Sequence, residues 1–134
     1  MEERLEQFSD GQLVATLDAV LDALGDDRFR CPTDREQLDL LAASLRVGAR
    51  LHAWQTGLAA RVEASEVAVR ELGTSTTTWL AEAENLTANE ARRLIKAGQE
   101  LVRFPVLGDA ARSGAVLPSQ AEAISSVLHH LPVD

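Results

Sequence analysis

Few residues in this chain are suited to chemistry, and each type can be tested against the spacing its chemistry requires. The imidazoles are His52, His129 and His130. A metal-dependent nuclease built on a ββα unit needs one His to activate water and other His or Asn side chains to hold a divalent ion. His52 falls inside a long helical pattern, and His129 and His130 are adjacent at the end of another, with no strand signal before them. Neighbouring helical side chains point about 100° apart, so these two do not converge on one ion. Their place suits exposed rings at a helix C-terminus, where the backbone dipole favours positive charge. Cys31 is the single cysteine, which excludes an intrachain disulfide and a Cys-rich zinc site. Arg28, Arg30 and Arg35 are near it in sequence, but no histidine is at hand as a base. Neither GxxxxGK nor GxGxxG occurs, which sets aside phosphate-cradling loops. The sequence predicts no catalytic residue, no metal site and no cofactor.

One stretch can do something else. "WLAEAENLTANEARRLIKAG", Trp79 to Gly98, reads as two helices around a tight break, with three bases early in the second. A DNA-reading helix-turn-helix joins its helices by three or four residues and sends the start of the second into the major groove. Here "ENLT" supplies the turn, Leu86 a plug between the helices, Ala81 a small residue at the crossing and Leu94 a contact with the core. Asn89, Arg92, Arg93 and Lys96 are then the reaching residues, with Arg103 further along the same basic segment. Asn can read adenine, Arg can read guanine, and Lys neutralises phosphate. Against this, Glu84 and Glu90 flank the turn, which also lacks the usual Gly. The alternative is a structural hairpin whose bases form an ordinary solvated face.

The elements that must hold this stretch are written in helix-start signals. "SDGQ" (Ser9 to Gln12), "TDRE" (Thr33 to Glu36) and "TANE" (Thr87 to Glu90) are capping boxes, in which a hydroxyl and an acid or amide three residues on satisfy early backbone N–H groups. The first box opens a helix from about Asp10 to Leu24, with Leu13, Leu17, Val20, Leu21 and Leu24 on one face and Gly25 as its stop. The second opens a long helix after Pro32. Leu41, Leu45, Gly48, Leu51, Trp54, Leu58 and Val62 recur at steps of three and four, and the helix is expected to reach about Ala68, on the order of 50 Å. A stripe that long calls for a partner helix in cis or a second subunit. Gly48 and Gly57 either allow another helix to come close or are merely tolerated, each at about 1 kcal/mol relative to Ala.

Gly73 ends the pattern, and a following Ser or Thr caps a short helix holding Trp79 and Leu80. The third box starts a helix presenting Ala91, Leu94, Ile95, Gly98 and Leu101 inward. Pro105 opens another, ended by Gly114. Pro118 begins the last, with Ala121, Ile124, Val127, Leu128 and Leu131 as its apolar side. With no alternation and no Asn-Gly or Asp-Gly hairpin turn, the class is all-α: a long central helix, an N-terminal helix packed on it and a C-terminal cluster of short helices. The expected plan is one domain over residues 1–134, with an N-terminal helix and loop to 31, the long helix over 32–72 and the cluster over 73–134, as a fragment of a longer protein.

Composition and charge agree with a helical reading and restrict the partners. Hydrophobic residues make up 46% but aromatics only 4%, so burial must come from Leu, Ala and Val. The net charge of −8 argues against non-specific coating of nucleic acid. Its distribution is uneven, however: residues 1–40 carry −7, residues 41–80 carry +1 and residues 81–134 carry −2. Arg92 to Arg112 holds five bases against two acids. No apolar run approaches the roughly 20 residues that span a bilayer, and the acidic N-terminus is unlike a secretion signal. The expectation is a cytoplasmic protein with no membrane partner and no small-molecule substrate.

The order of residues in the C-terminal half resembles the family catalogued as domain of unknown function 222, which overlaps the 13E12-repeat proteins abundant in actinobacteria. The matching positions are Gly73, Ser75, Trp79 and Leu80, Thr87, Ala91 and Arg92, Leu101, Pro105, Ala110, Gly114, Gln120, Ala121 and Ile124. The resemblance covers roughly residues 35–134, and departs at Leu117, where a capping Ser or Thr is usual, and at Ala111, where Leu is common. It implies a context: the front part of longer proteins that often carry an HNH nuclease module further along. Two functions follow. In one, the chain is the non-catalytic N-terminal module of an HNH-endonuclease-type protein and assists engagement of double-stranded DNA. In the other, it is a homodimerisation or protein-interaction module whose stripe from Leu41 to Val62 buries against its mate. A two-fold dimer presenting two copies of the basic helix accommodates both.

Overall fold

The computed structural model describes residues 2–25 and 33–131, so Arg28, Arg30, Cys31 and Pro32 lie outside the described residues. Among the described residues the protein is all-α, with eight helices and no strand. In chain order these are α1 (Glu2–Leu5), α2 (Asp10–Gly25), α3 (Asp34–Ser65), α4 (Val67–Leu72), α5 (Thr76–Ala83), α6 (Ala88–Arg103), α7 (Pro105–Ser113) and α8 (Pro118–Leu128). The chain divides into two compact units, Met1–Gln37 and Leu38–Asp134.

In the first unit, α2 starts at a complete capping box. The Ser9 N–H donates to Gln12 Oε1 at 2.8 Å, and the Gln12 N–H donates to Ser9 Oγ at 3.2 Å. The helix includes Gly25 and carries no buried residue. Of its predicted stripe, Leu17, Val20, Leu21 and Leu24 are exposed. The short α1 was not legible in the sequence.

The second unit is organised by α3. Thr33 Oγ1 accepts from the Glu36 N–H at 3.2 Å, and the helix then runs for 32 residues. It stops short of the expected Ala68 because Glu66 adopts φ 56°, ψ 31°, a left-handed conformation that interrupts the helical ladder. The chain restarts at once as α4, which ends at Gly73, φ 69°, whose N–H bonds Val69 O at 3.0 Å.

The face of α3 that packs in this unit is made of small residues, Ala49, Ala53, Thr56 and Ala60, at steps of four, three and four. Small side chains let α6 come in at backbone distance. A Cβ built on Gly98 would collide with the carbonyl of Thr56 and press on Ala60 Cβ, so this crossing requires glycine. Gly48 and Gly57, by contrast, have nothing within 4 Å of a Cβ position, so within the unit the close approach falls at Gly98. Thr56 is fully buried, with its hydroxyl donating to Ala53 O at 3.0 Å.

Two apolar clusters fill the space around this seam. Leu80, Ala91 and Ile95 join with Ala59, Trp79, Leu86 and Leu94. Leu101, Leu107 and Ala111 close on Ala53, flanked by Phe104, Val116 and Ala121. Each buried Leu or Ile here contributes roughly 1.5–3 kcal/mol. The stripe read from spacing divides on the real helix. At about 100° per residue, Leu51, Trp54, Leu58 and Val62 lie opposite the buried seam, while Leu41 and Leu45 lie toward its N-terminal continuation.

The last helix matches the sequence expectation in part. Of the expected apolar side, Ala121 and Leu128 face inward beside the buried Ser125, whereas Ile124, Val127 and Leu131 are exposed. The apolar residues of α8 are spread round the helix, so only some of them reach the core. At its start, Leu117 has no side-chain acceptor, but its own N–H donates to Gln120 Oε1 at 2.8 Å. Pro118 at the first helical position supplies the rest of the start.

Candidate nucleic-acid interface

The helix break over residues 84–87 is built from local geometry. Ser75 Oγ accepts from the Thr78 N–H at 3.1 Å and caps α5, while Thr87 Oγ1 accepts from the Glu90 N–H at 3.0 Å and caps α6. Between the helices, Asn85 holds φ 60°. Asn is the residue that reaches this left-handed region most readily after glycine. The turn therefore gets its reversal without the glycine that the sequence lacks. The Leu86 N–H donates to Leu80 O at 3.3 Å, and the Leu86 side chain packs on the Leu80, Ala91 and Ile95 cluster. The plug role expected of Leu86 and the core contact expected of Leu94 are both present, and the segment Thr76–Arg103 is helix-turn-helix-like.

With Ala91, Ile95, Gly98 and Leu101 turned to the core, helical geometry fixes what the other side of α6 carries. Asn89, Arg92, Lys96 and Arg103 share the exposed face, with Arg93 at its edge; all five are exposed. Gln99 lies in the same row and is also exposed, a residue the search for bases did not single out. Several of these side chains have partners in the chain. Asn89 Oδ1 accepts from Arg92 Nη2 at 2.9 Å, and the Arg103 guanidinium sits 5.5 Å from the Phe104 ring centroid. Arg93 Nη2 lies 3.5 Å from Glu122 Oε2 on α8, with both side chains more than 70% exposed. At that exposure the pair is weak and readily exchanged.

Beside this face, α3, α6, α7 and α8 enclose a groove of about 820 Å³. Its floor is apolar, with Ala53, Thr56, Leu101 and Ala111, and its rim mixes Arg93 and Lys96 with Glu90, Glu100 and Glu122. His52 and His129 also line it. His129 Nε2 lies 2.5 Å from Glu100 Oε2, and its ring meets Phe104 edge-on at 5.3 Å between centroids, which ties the end of α8 to α6. Sequence spacing gave no signal for this contact, since Glu100 and His129 are 29 residues apart. Among the described residues no group of three or more His, Cys, Asp or Glu is placed to hold a metal ion. No helix among them is long and apolar enough to cross a membrane.

No protein-family model, no curated protein and no solved structure matches this chain.

Proposed function

We propose that this chain is a non-catalytic helical module that engages double-stranded DNA through α6, as the front part of an HNH-endonuclease-type protein. The observation that carries the reading is the alignment of Asn89, Arg92, Lys96 and Arg103 along the exposed face of a helix whose other face is locked to the core. Preorganised bases on a rigid helix are what phosphate neutralisation and major-groove reading require. The capped turn with Asn85 in the left-handed region supports it, because it removes the objection that the turn lacks glycine. The residue order from Gly73 to Ile124, which resembles domain of unknown function 222, supplies the nuclease context. Glu90, Glu100 and Glu122 beside the bases oppose tight binding and favour an assisting role over a sole anchor.

The test is binding of the purified protein to labelled duplex DNA across a salt series, alongside a variant with Arg92, Arg93 and Lys96 all changed to Ala. A steep loss of affinity with salt is expected, and the variant should lose roughly 2.7 from the slope of log affinity against log salt, about 0.9 for each phosphate contact removed. Absence of binding by the wild type at low salt would sink the DNA reading.

A second reading has its own observation. Leu40, Val47, Trp54 and Leu58 are exposed on α3, on the side away from the small-residue seam, which supports self-association through that helix.

A further inference from the structure

The outward side of α3 carries more pattern than an exposed apolar face needs. Measured from the buried seam, the residues turned furthest away are Leu40, Ser44, Val47, Leu51, Trp54, Leu58 and Val62, which alternate steps of four and three until the last step of four. That spacing is the seam of a two-helix coiled coil. Leu40 is 57% exposed and Val47 54%, Trp54 and Leu58 are each 38% exposed, and Leu51 and Val62 are half-buried.

Charge along α3 distinguishes the possible occupants of this seam. The N-terminal end bears Asp34, Glu36 and Asp39 with Arg35 among them, whereas Arg46, Arg50 and Arg61 lie in the later part with Glu63. Arg50 is used within the chain, where its Nε donates to Arg112 O at 3.1 Å. A parallel mate would gather the acidic starts of both copies of α3 at one end of the pair and both copies of Arg61 toward the other. An antiparallel copy brings the acidic start of each α3 alongside Arg61 of its mate.

We infer that two copies of this chain pair through α3 as an antiparallel two-helix seam, with the two-fold axis passing at Ala49. In that register Leu40 faces Leu58, Ser44 faces Trp54 and Val47 faces Leu51, each pairing occurring twice. The small Ser44 makes room for the indole. The pairing deepens the self-association reading and is independent of DNA contact by α6.

The experiment has two arms. Sedimentation equilibrium of the wild type across a concentration series should give twice the 14.5 kDa of one chain, and Val47→Glu should weaken association at least roughly a hundredfold by burying two unpaired carboxylates near the axis. Circular dichroism checks that this variant keeps its helices. A mass of one chain at every concentration overturns both the inference and the self-association reading, and leaves the face to a different partner. Orientation is read in a Cys31→Ser background by mixing Leu40→Cys protein with Leu58→Cys protein under mild oxidation. Mixed disulfides well above the amount that either protein forms alone support the antiparallel register. Disulfides formed equally well by each protein alone overturn that register while self-association stands.

Discussion

The two sides of α3 are built on opposite rules. The side that packs within the chain uses Ala49, Ala53, Thr56 and Ala60, so that the backbone of α6 can approach to where only Gly98 fits. The side turned away carries Leu40, Val47, Trp54 and Leu58, the larger surface by far. In an isolated globule the larger apolar residues are expected inside. The contrast shows that burial within one chain and burial capacity are separate properties of this helix. Its tight contact contributes through close packing, while much of its transferable apolar area faces outward.

Substitutions that treat the two sides alike should give opposite results. The largest effect is expected from Gly98→Val, which places a branched side chain against the Thr56 carbonyl. It should destabilise by about 3 kcal/mol or leave the cluster unfolded, measured by urea unfolding followed with circular dichroism. An unchanged midpoint would mean that α6 does not cross α3 at backbone distance.

Next, Thr87→Ala should cost about 1 kcal/mol by removing the acceptor for the Glu90 N–H, and the same titration reads it. Because that cap fixes where α6 begins on the seam, the loss should be accompanied by weaker DNA binding only if α6 is the reading helix. Gly48→Ala, at one of the two glycines on α3 with open space around them, should stabilise by up to about 1 kcal/mol through helix propensity alone, which a thermal melt can detect. The smallest change is expected for Trp54→Ala in dilute protein. Outward from the seam, it should shift the single-chain unfolding midpoint by no more than about 0.5 kcal/mol, whereas a loss of several kcal/mol would place Trp54 in the folded core.

The helix starts were legible because they are local. Ser9, Thr33 and Thr87 each precede a Gln or Glu at the right offset, and all three open helices where expected. Gly73 and Gly114 end α4 and α7 for an equally local reason, since both adopt positive φ. What spacing could not give was which of two apolar sides of α3 the rest of the chain would choose. A Leu stripe outscores an Ala stripe in any hydrophobic count, yet close helix approach is decided by what is absent from Gly98. The candidate site divides in the same way. The exposed row on α6 followed directly from the periodicity of Ala91, Ile95, Gly98 and Leu101. Asn85 in the left-handed region, the Arg93 to Glu122 pair and the Glu100 to His129 contact depend on backbone angles and long-range packing that no residue pattern encodes.

The two tryptophans sit in contrasting places, Trp79 of α5 against the Leu80, Ala91 and Ile95 cluster and Trp54 on the outward side of α3, and the chain has no tyrosine. Its ultraviolet emission is therefore divided between one reporter of the interior and one of the exterior. Chains retaining a single indole would separate the optical signal of folding from that of assembly, without any added label.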